Sequence, residues 1–279
     1  MILLGILFLA ALASLAAFVI YIERTGPHSY IIDDIEGQKY LVTSEGEIRY
    51  QANLKPNSVP VLFLHGFNGS MNNWESVWNT VSHCTSSVRL DIPGFGKSEW
   101  QSSDYSLSTQ SRNLINFLQA LGIEKVHIVG TSMGASLAAW FSAYYPEYVV
   151  TTTLLAPSGW PRSMSLSSVE NLIYHESNLN AFLTKISNSS LYRTVFPNSR
   201  LLQALTVTRS YNDEWVKALS LIQSPTNLIW SESDTRMPIQ YQEKIANNIL
   251  NSHVMLAKKE AGHDIPGKDP EIVSSIFCH

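Results

Sequence analysis

A serine lies in a glycine-flanked pattern that suits nucleophilic chemistry. Residues 130–134 read Gly-Thr-Ser-Met-Gly, a G-x-S-x-G pattern between a mostly apolar run, 126–129, and a helical pattern of small residues, 135–145. A serine at such a strand-to-helix turn projects its hydroxyl from the start of a helix, where free backbone N–H groups favour negative charge. Alone, the pattern also fits an ordinary Gly/Ser turn, so the assignment of Ser132 as a nucleophile depends on its companions.

A serine hydroxyl needs a base to take its proton, and His263 is the candidate base. It follows the last strand that the sequence indicates, where the C-terminal loops of a parallel sheet form the ligand-binding edge. Asp234, just after the strand that ends at Trp230, is the candidate acid that would fix the tautomer of His263. One helix and one strand fit between Asp234 and His263, and Glu232 is the alternative acid. The resulting order, Ser132, Asp234, His263, is that of proteins with a nucleophile elbow.

Backbone donors for a developing oxyanion are expected at two turns. Residues 65–67, His-Gly-Phe, follow the apolar run 60–64, and Met133 follows the proposed nucleophile. The backbone N–H groups of Phe67 and Met133 are the predicted oxyanion hole. His65 is interpreted as a residue that supports its turn rather than as a general base.

A second glycine-containing stretch is interpreted as structural. Residues 91–98 read Asp-Ile-Pro-Gly-Phe-Gly-Lys-Ser, and the final Gly-Lys-Ser is also found in phosphate-binding loops. The stretch lacks the G-x-x-x-x-G-K spacing and the strand–loop–helix context of those loops, so no nucleotide site is predicted here.

Strand and helix patterns alternate along the chain. This alternation predicts an α/β fold with a mostly parallel sheet that is covered by helices on both faces. Strands are predicted at 40–43, 47–51, 60–64, 87–90, 125–130, 149–155, 226–230 and 253–257, and helices at 74–81, 106–121, after Ser132, at 239–250 and from Pro270.

The alternation is interrupted between residues 157 and 225. This stretch contains several short helical patterns and no strong strand pattern. Because it lies between two strands near the expected catalytic edge, it is interpreted as a helical cap insert. An ordinary helical excursion packed on the core is the alternative.

The N-terminus begins with a long uncharged run. Residues 1–22 carry no charged side chain, and a helix of that length spans about 33 Å, close to the ~30 Å hydrocarbon core of a bilayer. The run predicts a single-pass membrane anchor, followed by a linker, 23–34, and one catalytic domain, 35–279. A cleaved signal peptide is the alternative and would leave a secreted or periplasmic protein. Against it, the run exceeds the usual apolar region of about 7–15 residues and no basic residue precedes it.

Charge and cysteine content narrow the possible partners. The 279-residue chain has a net charge of −4 and no basic stripe, which argues against a nucleic-acid partner. Its two cysteines, Cys84 and Cys278, have neither C-x-x-C nor zinc spacing, so no metal site is predicted. Two separate thiols are expected, and a disulfide is the alternative if the domain is exported.

Taken in order, these motifs resemble those of the α/β-hydrolase superfamily. The resemblance covers about residues 35–279 and rests on residues 65–67, 91–98, 130–134 and 156–157, with Asp234 and His263. It implies an eight-stranded sheet with a helical cap, and no cofactor. Two positions depart from frequent family choices: Thr131 replaces a histidine beside the nucleophile, and Ala135 replaces a second glycine.

The function expected from these features is hydrolysis of carboxylic esters through an acyl-enzyme on Ser132. The anchor and the apolar cap are similar to those of membrane-bound monoacylglycerol lipases, which implies lipid-like or medium-chain acyl esters. Residues 91–98 also resemble C–C bond hydrolases of vinylogous diketo acids. That alternative expects a cationic cap residue beside the substrate, which could be Arg162, Arg193 or Arg209. A non-catalytic binding protein on the same fold is the alternative from another class.

Overall fold

Eight strands form one mostly parallel sheet. The computed structural model describes residues 13–14, 16–17, 19–20, 33–102, 104–160, 177–195 and 199–278. The strands are β1 (Lys39–Thr43), β2 (Gly46–Asn53), β3 (Val61–Leu64), β4 (Ser87–Leu90), β5 (Val126–Thr131), β6 (Val149–Leu155), β7 (Thr226–Trp230) and β8 (Ser252–Leu256). Across the sheet they follow the order β1-β2-β4-β3-β5-β6-β7-β8. Only β2 runs in the direction opposite to the other seven strands, so the predicted α/β fold with a mostly parallel sheet is confirmed.

The centre of the sheet is covered on both faces. β3 and β4 are buried at every position, which is typical of parallel strands that lie between two layers of helices. β8 lies at one edge of the sheet and is partly exposed along its length. The loops after β5, β7 and β8 leave the same, carboxyl edge of the sheet, because these strands are parallel.

Helices and short 3₁₀ turns connect the strands. The helices are α1 (Glu75–Cys84), α2 (Leu107–Ala120), α3 (Met133–Tyr144), α4 (Ser177–Ser187), α5 (Ser190–Val195), α6 (Arg200–Arg209), α7 (Asp213–Leu219), α8 (Gln240–Ala246), α9 (Ile265–Lys268) and α10 (Pro270–Ser274). The 3₁₀ turns are Met71–Trp74, Pro146–Tyr148 and Lys259–Ala261.

The helix after the candidate nucleophile is the most deeply buried. Every residue of α3 from Met133 to Ala143 is buried, and the helix packs on β5, β6, α2 and α7. Its small residues let the surrounding elements approach closely, as the sequence pattern indicates. The burial holds the start of α3 firmly against the carboxyl edge of the sheet.

The stretch between β6 and β7 is helical wherever the structure describes it. It contains α4, α5, α6 and α7 and, within its described residues, no strand. Gln203 of α6 donates a hydrogen bond from Nε2 to the Gly94 carbonyl at 2.6 Å, and Leu107 N–H donates to Ser210 Oγ at 3.2 Å. These contacts attach the inserted helices to the body of the domain. The boundaries 157–225 for the cap and 35–279 for the domain stay predictions.

One predicted helix is too long. The pattern at 239–250 predicts a single helix, whereas α8 ends at Ala246. Asn247 and Asn248 follow, and turn-type bonds from Asn248 N–H to the Ile245 carbonyl and from Ile249 N–H to Ala246 replace the helical ones. Asparagine has a low helix propensity, which explains the early end.

The two cysteines form a disulfide. Cys84, at the end of α1, is bonded to Cys278, with their Cα atoms 5.5 Å apart. The expectation of two separate thiols is therefore wrong. The chain returns to α1 through α9 and α10, and the sequence contains no local signal for this contact across 194 residues.

The predicted membrane anchor falls mostly outside the described residues. Within 1–22, only residues 13–14, 16–17 and 19–20 are described, and all six are helical. No helix in the described part of the chain is long and apolar enough to cross a membrane. The anchor, the linker 23–34 and the signal-peptide alternative stay predictions.

Candidate active site

Ser132 occupies a sharp turn between β5 and α3. Its backbone has φ 53° and ψ −117°, in a region that side chains other than glycine rarely adopt. Such a conformation costs about 1–3 kcal/mol and persists only where the surroundings enforce it. The Ser132 N–H donates to the Leu155 carbonyl of β6 at 2.9 Å, and its carbonyl accepts from Ser136 N–H at 3.1 Å.

Two glycines allow this turn to form. A Cβ atom on Gly130 would overlap the backbone of Gly134, and one on Gly134 would overlap the carbonyl oxygens of Leu64 and His65. At both positions the neighbouring backbone therefore lies too close to leave room for a side chain, and only glycine fits. This is the physical requirement behind the G-x-S-x-G pattern.

The structure brings Asp234 and His263 together. His263 Nδ1 lies 2.7 Å from Asp234 Oδ2, and the Asp234 side chain is fully buried. Asp234 Oδ1 accepts the backbone N–H groups of Arg236 at 2.9 Å and Met237 at 2.8 Å. Because the carboxylate is fixed by these donors, Nδ1 of His263 carries a proton and Nε2 is left as an acceptor.

The alternative acids have other surroundings. Glu232 is exposed, and Asp264 accepts from Gly267 N–H at the start of α9. Neither forms a hydrogen bond with His263, and both residues are described. Among the three carboxylates considered, Asp234 is the one in contact with the His263 ring.

Ser132 and His263 leave the same edge of the sheet without a direct hydrogen bond. In the described part of the chain, no hydrogen bond joins the Ser132 hydroxyl to the His263 ring. Hydrogen bonds between catalytic groups are often long before a substrate is bound. The roles of Ser132, Asp234 and His263 therefore stay predictions, supported by the turn and by the Asp234–His263 contact.

The two candidate oxyanion donors belong to two turns that lie close together. Met133 is the first residue of α3, and residues 65–67 follow β3, the strand next to β5. An added Cβ on Gly66 would lie 3.3 Å from the Ser132 Cβ, so the two turns nearly touch. Within the described chain, neither the Phe67 nor the Met133 N–H has a protein acceptor, which leaves both for a ligand.

Both ring nitrogens of His65 form hydrogen bonds with nearby backbone groups. Its Nε2 accepts the Ile92 N–H at 2.9 Å, and its Nδ1 lies 2.7 Å from the Gly66 carbonyl, to which it must donate. Burial holds the pKa of His65 below its usual value, although Asp91 raises it in part. Both nitrogens are used by backbone groups, in agreement with the turn-supporting interpretation.

The stretch 91–98 is held together by its own first residue. Asp91 Oδ1 accepts Met71 N–H at 2.6 Å, while Oδ2 accepts Lys97 N–H at 2.8 Å and pairs with Arg49 at 3.2 Å. The Asp91 and Arg49 side chains are fully buried. The contacts agree with the interpretation of this stretch as a structural loop.

Aromatic side chains extend from the turn at 65–67. The rings of Phe67 and Phe95 pack edge to face at 5.7 Å, and Phe95 packs in the same way on Tyr105 at 6.0 Å. Phe67 is 39% exposed, whereas Phe95 and Tyr105 are buried. Phe67 therefore gives the surface beside the candidate site an apolar character.

The cationic residues expected by the C–C hydrolase alternative are not placed at the site. Arg162 and the side chain of Arg193 lie outside the described residues. Arg209 lines an open groove of about 290 Å³ together with Asp104, Trp140 and Glu214, and neither Ser132 nor His263 borders that groove. No group of three metal-ligating side chains occurs among the described residues.

Sequence reasoning missed three hydroxyl residues beside Ser132. Ser136, Ser158 and Tyr211 form a hydrogen-bonded chain that reaches the carbonyls of Ser132 and Ser158. Tyr211 belongs to the stretch between α6 and α7, and it is 53 residues beyond Ser158. No motif spacing links them, so only the folded structure identifies this group.

Comparisons with known proteins agree with the fold. Residues 59–183 match the family model described as alpha/beta hydrolase fold. The chain is 25% identical to Monoacylglycerol lipase ABHD6 of Homo sapiens over 272 residues, which cover 86% of this chain and 80% of that protein.

Solved structures give the same result for the fold. A hydrolase from Pseudomonas aeruginosa PA01 superposes with a TM-score of 0.67 at 17% identity, covering 87% of this chain and 97% of that one. A membrane phospholipase A described as a bacterial virulence factor gives a TM-score of 0.63 at 23% identity, with 99% and 96% covered. With the sheet order and the Ser132 turn, these likenesses show the fold of the α/β hydrolases, and the sequence matches support a hydrolase of that superfamily.

Proposed function

We propose that this chain is a serine hydrolase of carboxylic esters, with Ser132 as nucleophile, His263 as base and Asp234 as the acid that orients it. The observation that carries the proposal is the 2.7 Å contact between His263 Nδ1 and the fully buried Asp234 carboxylate, at the sheet edge where Ser132 precedes α3. That contact directs the unprotonated Nε2 of His263 away from Asp234 and makes it available to a hydroxyl.

Acylation is the first half of the proposed reaction. His263 Nε2 takes the Ser132 proton as Oγ attacks the ester carbonyl carbon, and Asp234 stabilises the imidazolium that forms. The carbonyl electron pair moves to oxygen, where the Phe67 and Met133 N–H groups would donate hydrogen bonds. When the tetrahedral intermediate collapses, His263 returns the proton to the leaving alcohol, and the acyl group remains on Ser132.

Deacylation repeats these steps with water. His263 takes a proton from water as the hydroxide attacks the acyl carbon, and the same two N–H groups hold the second oxyanion. Collapse breaks the bond to Ser132 Oγ, which recovers its proton from His263. The products are a carboxylic acid and an alcohol, and the enzyme returns to its starting state.

A lipid-like acyl ester is the proposed substrate class. Phe67, which is partly exposed next to the candidate oxyanion site, offers an apolar contact for an acyl chain. The uncharged run at 1–22 would keep the domain beside a source of such esters. Relatives named monoacylglycerol lipase support the same class.

We also propose a membrane-anchored, exported location. Disulfides form and persist mainly in oxidising compartments outside the cytosol, and the Cys84–Cys278 bond fits that setting. The uncharged run 1–22 would then act as the anchor. Fractionation of cells that express the full chain tests this: we expect it in the membrane fraction, and recovery of a shortened protein in the soluble exported fraction would favour signal cleavage.

Labelling by a fluorophosphonate probe tests the catalytic assignment. The full chain in detergent should label and should hydrolyse p-nitrophenyl esters and monoacylglycerols, while Ser132→Ala should do neither. Ser275→Ala, which changes an exposed serine just after α10, is the matched control and should behave as the parent does.

The outcomes separate the rival functions. Equal labelling of Ser132→Ala and the parent would show that Ser132 is not the nucleophile. Turnover of a vinylogous diketo acid without ester cleavage would favour the C–C hydrolase. A folded protein without labelling or activity would favour a non-catalytic binding protein.

A further inference from the structure

A chain of hydroxyl groups connects the inserted helices to the backbone of Ser132. Tyr211 Oη lies 2.6 Å from Ser158 Oγ, and Ser158 Oγ lies 3.0 Å from Ser136 Oγ. Ser136 Oγ lies within hydrogen-bond distance of two carbonyl oxygens, those of Ser158 and Ser132, the latter at 3.2 Å. The chain thus runs from the insert, across the loop after β6, to the carbonyls of Ser158 and of the strained residue Ser132.

The Ser132 carbonyl has three hydrogen-bond donors around it. It accepts from Ser136 N–H at 3.1 Å and Ser158 N–H at 3.3 Å, as well as lying near Ser136 Oγ. Ser158 therefore supports the turn with its own backbone and, through Ser136, with its side chain. Since the backbone of Ser132 is strained, its conformation depends on such surrounding contacts.

Tyr211 is held in place by packing as well as by its hydroxyl. Its ring packs edge to face on Trp215 at 6.4 Å, and it lies so close to Gly159 that an added Cβ there would meet the ring at 2.7 Å. Burial raises the pKa of Tyr211 to about 12, while its hydrogen bonds act in the opposite direction. The phenol therefore keeps its proton throughout the neutral and mildly alkaline range.

The hydroxyl protons of Tyr211, Ser158 and Ser136 can be assigned so that each group donates to the next one in the chain. A phenol is a stronger acid than an aliphatic hydroxyl, so the Tyr211 O–H donates to Ser158 Oγ. Ser158 then donates to Ser136 Oγ, whose proton is left for a carbonyl oxygen. Each hydroxyl donates once, and adjacent bonds in such a network reinforce one another.

We propose that Tyr211 is a positioning residue for Ser132, acting through Ser158 and Ser136. It couples the docking of the inserted helices to the geometry of the nucleophile turn. This inference rests on the proposed function, because a positioning effect needs Ser132 to be the nucleophile. Tyr211 itself does not touch the reacting atoms.

Tyr211→Phe tests the inference with little change in packing, since only the hydroxyl is removed. We expect kcat for a p-nitrophenyl ester and the rate of Ser132 labelling by a fluorophosphonate each to fall about fivefold, with KM unchanged, because one hydrogen bond of this kind is lost. Tyr148→Phe is the matched control: it removes one hydrogen bond, from Gln119 Nε2, at the opposite edge of the sheet and should leave both rates unchanged.

A double variant separates positioning from simple stability. Ser158→Ala should slow both rates at least as much as Tyr211→Phe, and the double variant should be no slower than Ser158→Ala, because both changes break one chain. Parental rates in Tyr211→Phe, or a lower melting temperature with unchanged rates per folded molecule, would overturn the inference and leave the ester hydrolase intact. If Ser132→Ala labels as the parent does, the proposed function fails, and the inference fails with it.

Discussion

Asp234 divides its two carboxylate oxygens between two tasks. Oδ2 holds His263 Nδ1, and Oδ1 accepts the backbone N–H groups of Arg236 and Met237. Backbone N–H groups can only donate, so the face of the side chain that they contact must be an acceptor. A carboxylate can accept hydrogen bonds on both sides at once, because both of its oxygens are acceptors. An amide has one acceptor oxygen and one NH₂ group, which can only donate.

Asp234→Asn should therefore reverse the tautomer of His263 while keeping the loop. The two backbone donors orient the amide oxygen toward themselves, so the NH₂ group faces Nδ1, and the ring proton moves to Nε2. A protonated Nε2 cannot accept the Ser132 proton, and we expect kcat for a p-nitrophenyl ester to fall about 10⁴-fold. Steady-state kinetics measures the loss, with circular dichroism to confirm folding.

Glu232→Gln is the matched control for this substitution. Glu232 is the other acid that the sequence offers after β7, and it is exposed. Its change should leave kcat within about twofold of the parent, as expected for an exposed side chain away from the reacting groups. A larger loss in Glu232→Gln than in Asp234→Asn would transfer the role of the acid to Glu232.

At the scale of elements, the turn between β5 and α3 requires a glycine at position 134. An added Cβ would overlap the Leu64 and His65 carbonyl oxygens, which belong to the end of β3 and the turn after it and cannot rotate away. Gly134→Ala should thus cost about 3 kcal/mol of the free energy of unfolding and abolish labelling of Ser132. Urea denaturation and fluorophosphonate labelling measure the two effects.

Gly122→Ala provides the comparison. Gly122, just beyond α2, has φ 67° but open space around its Cα. Alanine there should cost about 1–2 kcal/mol through backbone strain alone, with labelling of Ser132 retained. If Gly134→Ala is as well tolerated and still labels, the close approach of β3 to α3 does not control the turn.

Most elements were predictable because their signals are local. The strands Ser87–Leu90, Val149–Leu155 and Thr226–Trp230 have the bounds that their runs of apolar and β-branched residues predict. The proximity of Asp234 to His263 also followed from the pattern, because β7 and β8 are consecutive parallel strands that end at the same edge. Contacts between distant segments were not predictable, since neither Tyr211–Ser158 nor Cys84–Cys278 has a local sequence signal.

At the scale of the whole molecule, the disulfide ties the segment after α10 to α1. Cys84 ends α1, just before β4 begins, and Cys278 follows α10. Phe277, next to Cys278, packs on His127 near the start of β5 at 5.9 Å. This junction lies at the amino edge of the parallel strands, opposite the edge that carries Ser132 and His263.

Loss of the disulfide should lower stability and leave catalysis nearly unchanged. The bond spans a sequence separation of 194 residues, so it restricts the unfolded chain strongly, and its removal should cost about 2–5 kcal/mol. We expect Cys278→Ser, and the parent treated with dithiothreitol, to melt several degrees lower while keeping the parent kcat at 25 °C. Adding dithiothreitol to Cys278→Ser is the control and should change nothing further, because no bond remains to be reduced. An unchanged melting temperature in Cys278→Ser would show that packing alone holds α9 and α10 on α1. A loss of kcat in Cys278→Ser would show that the amino edge of the sheet, where the disulfide lies, is coupled to the edge that carries Ser132 and His263.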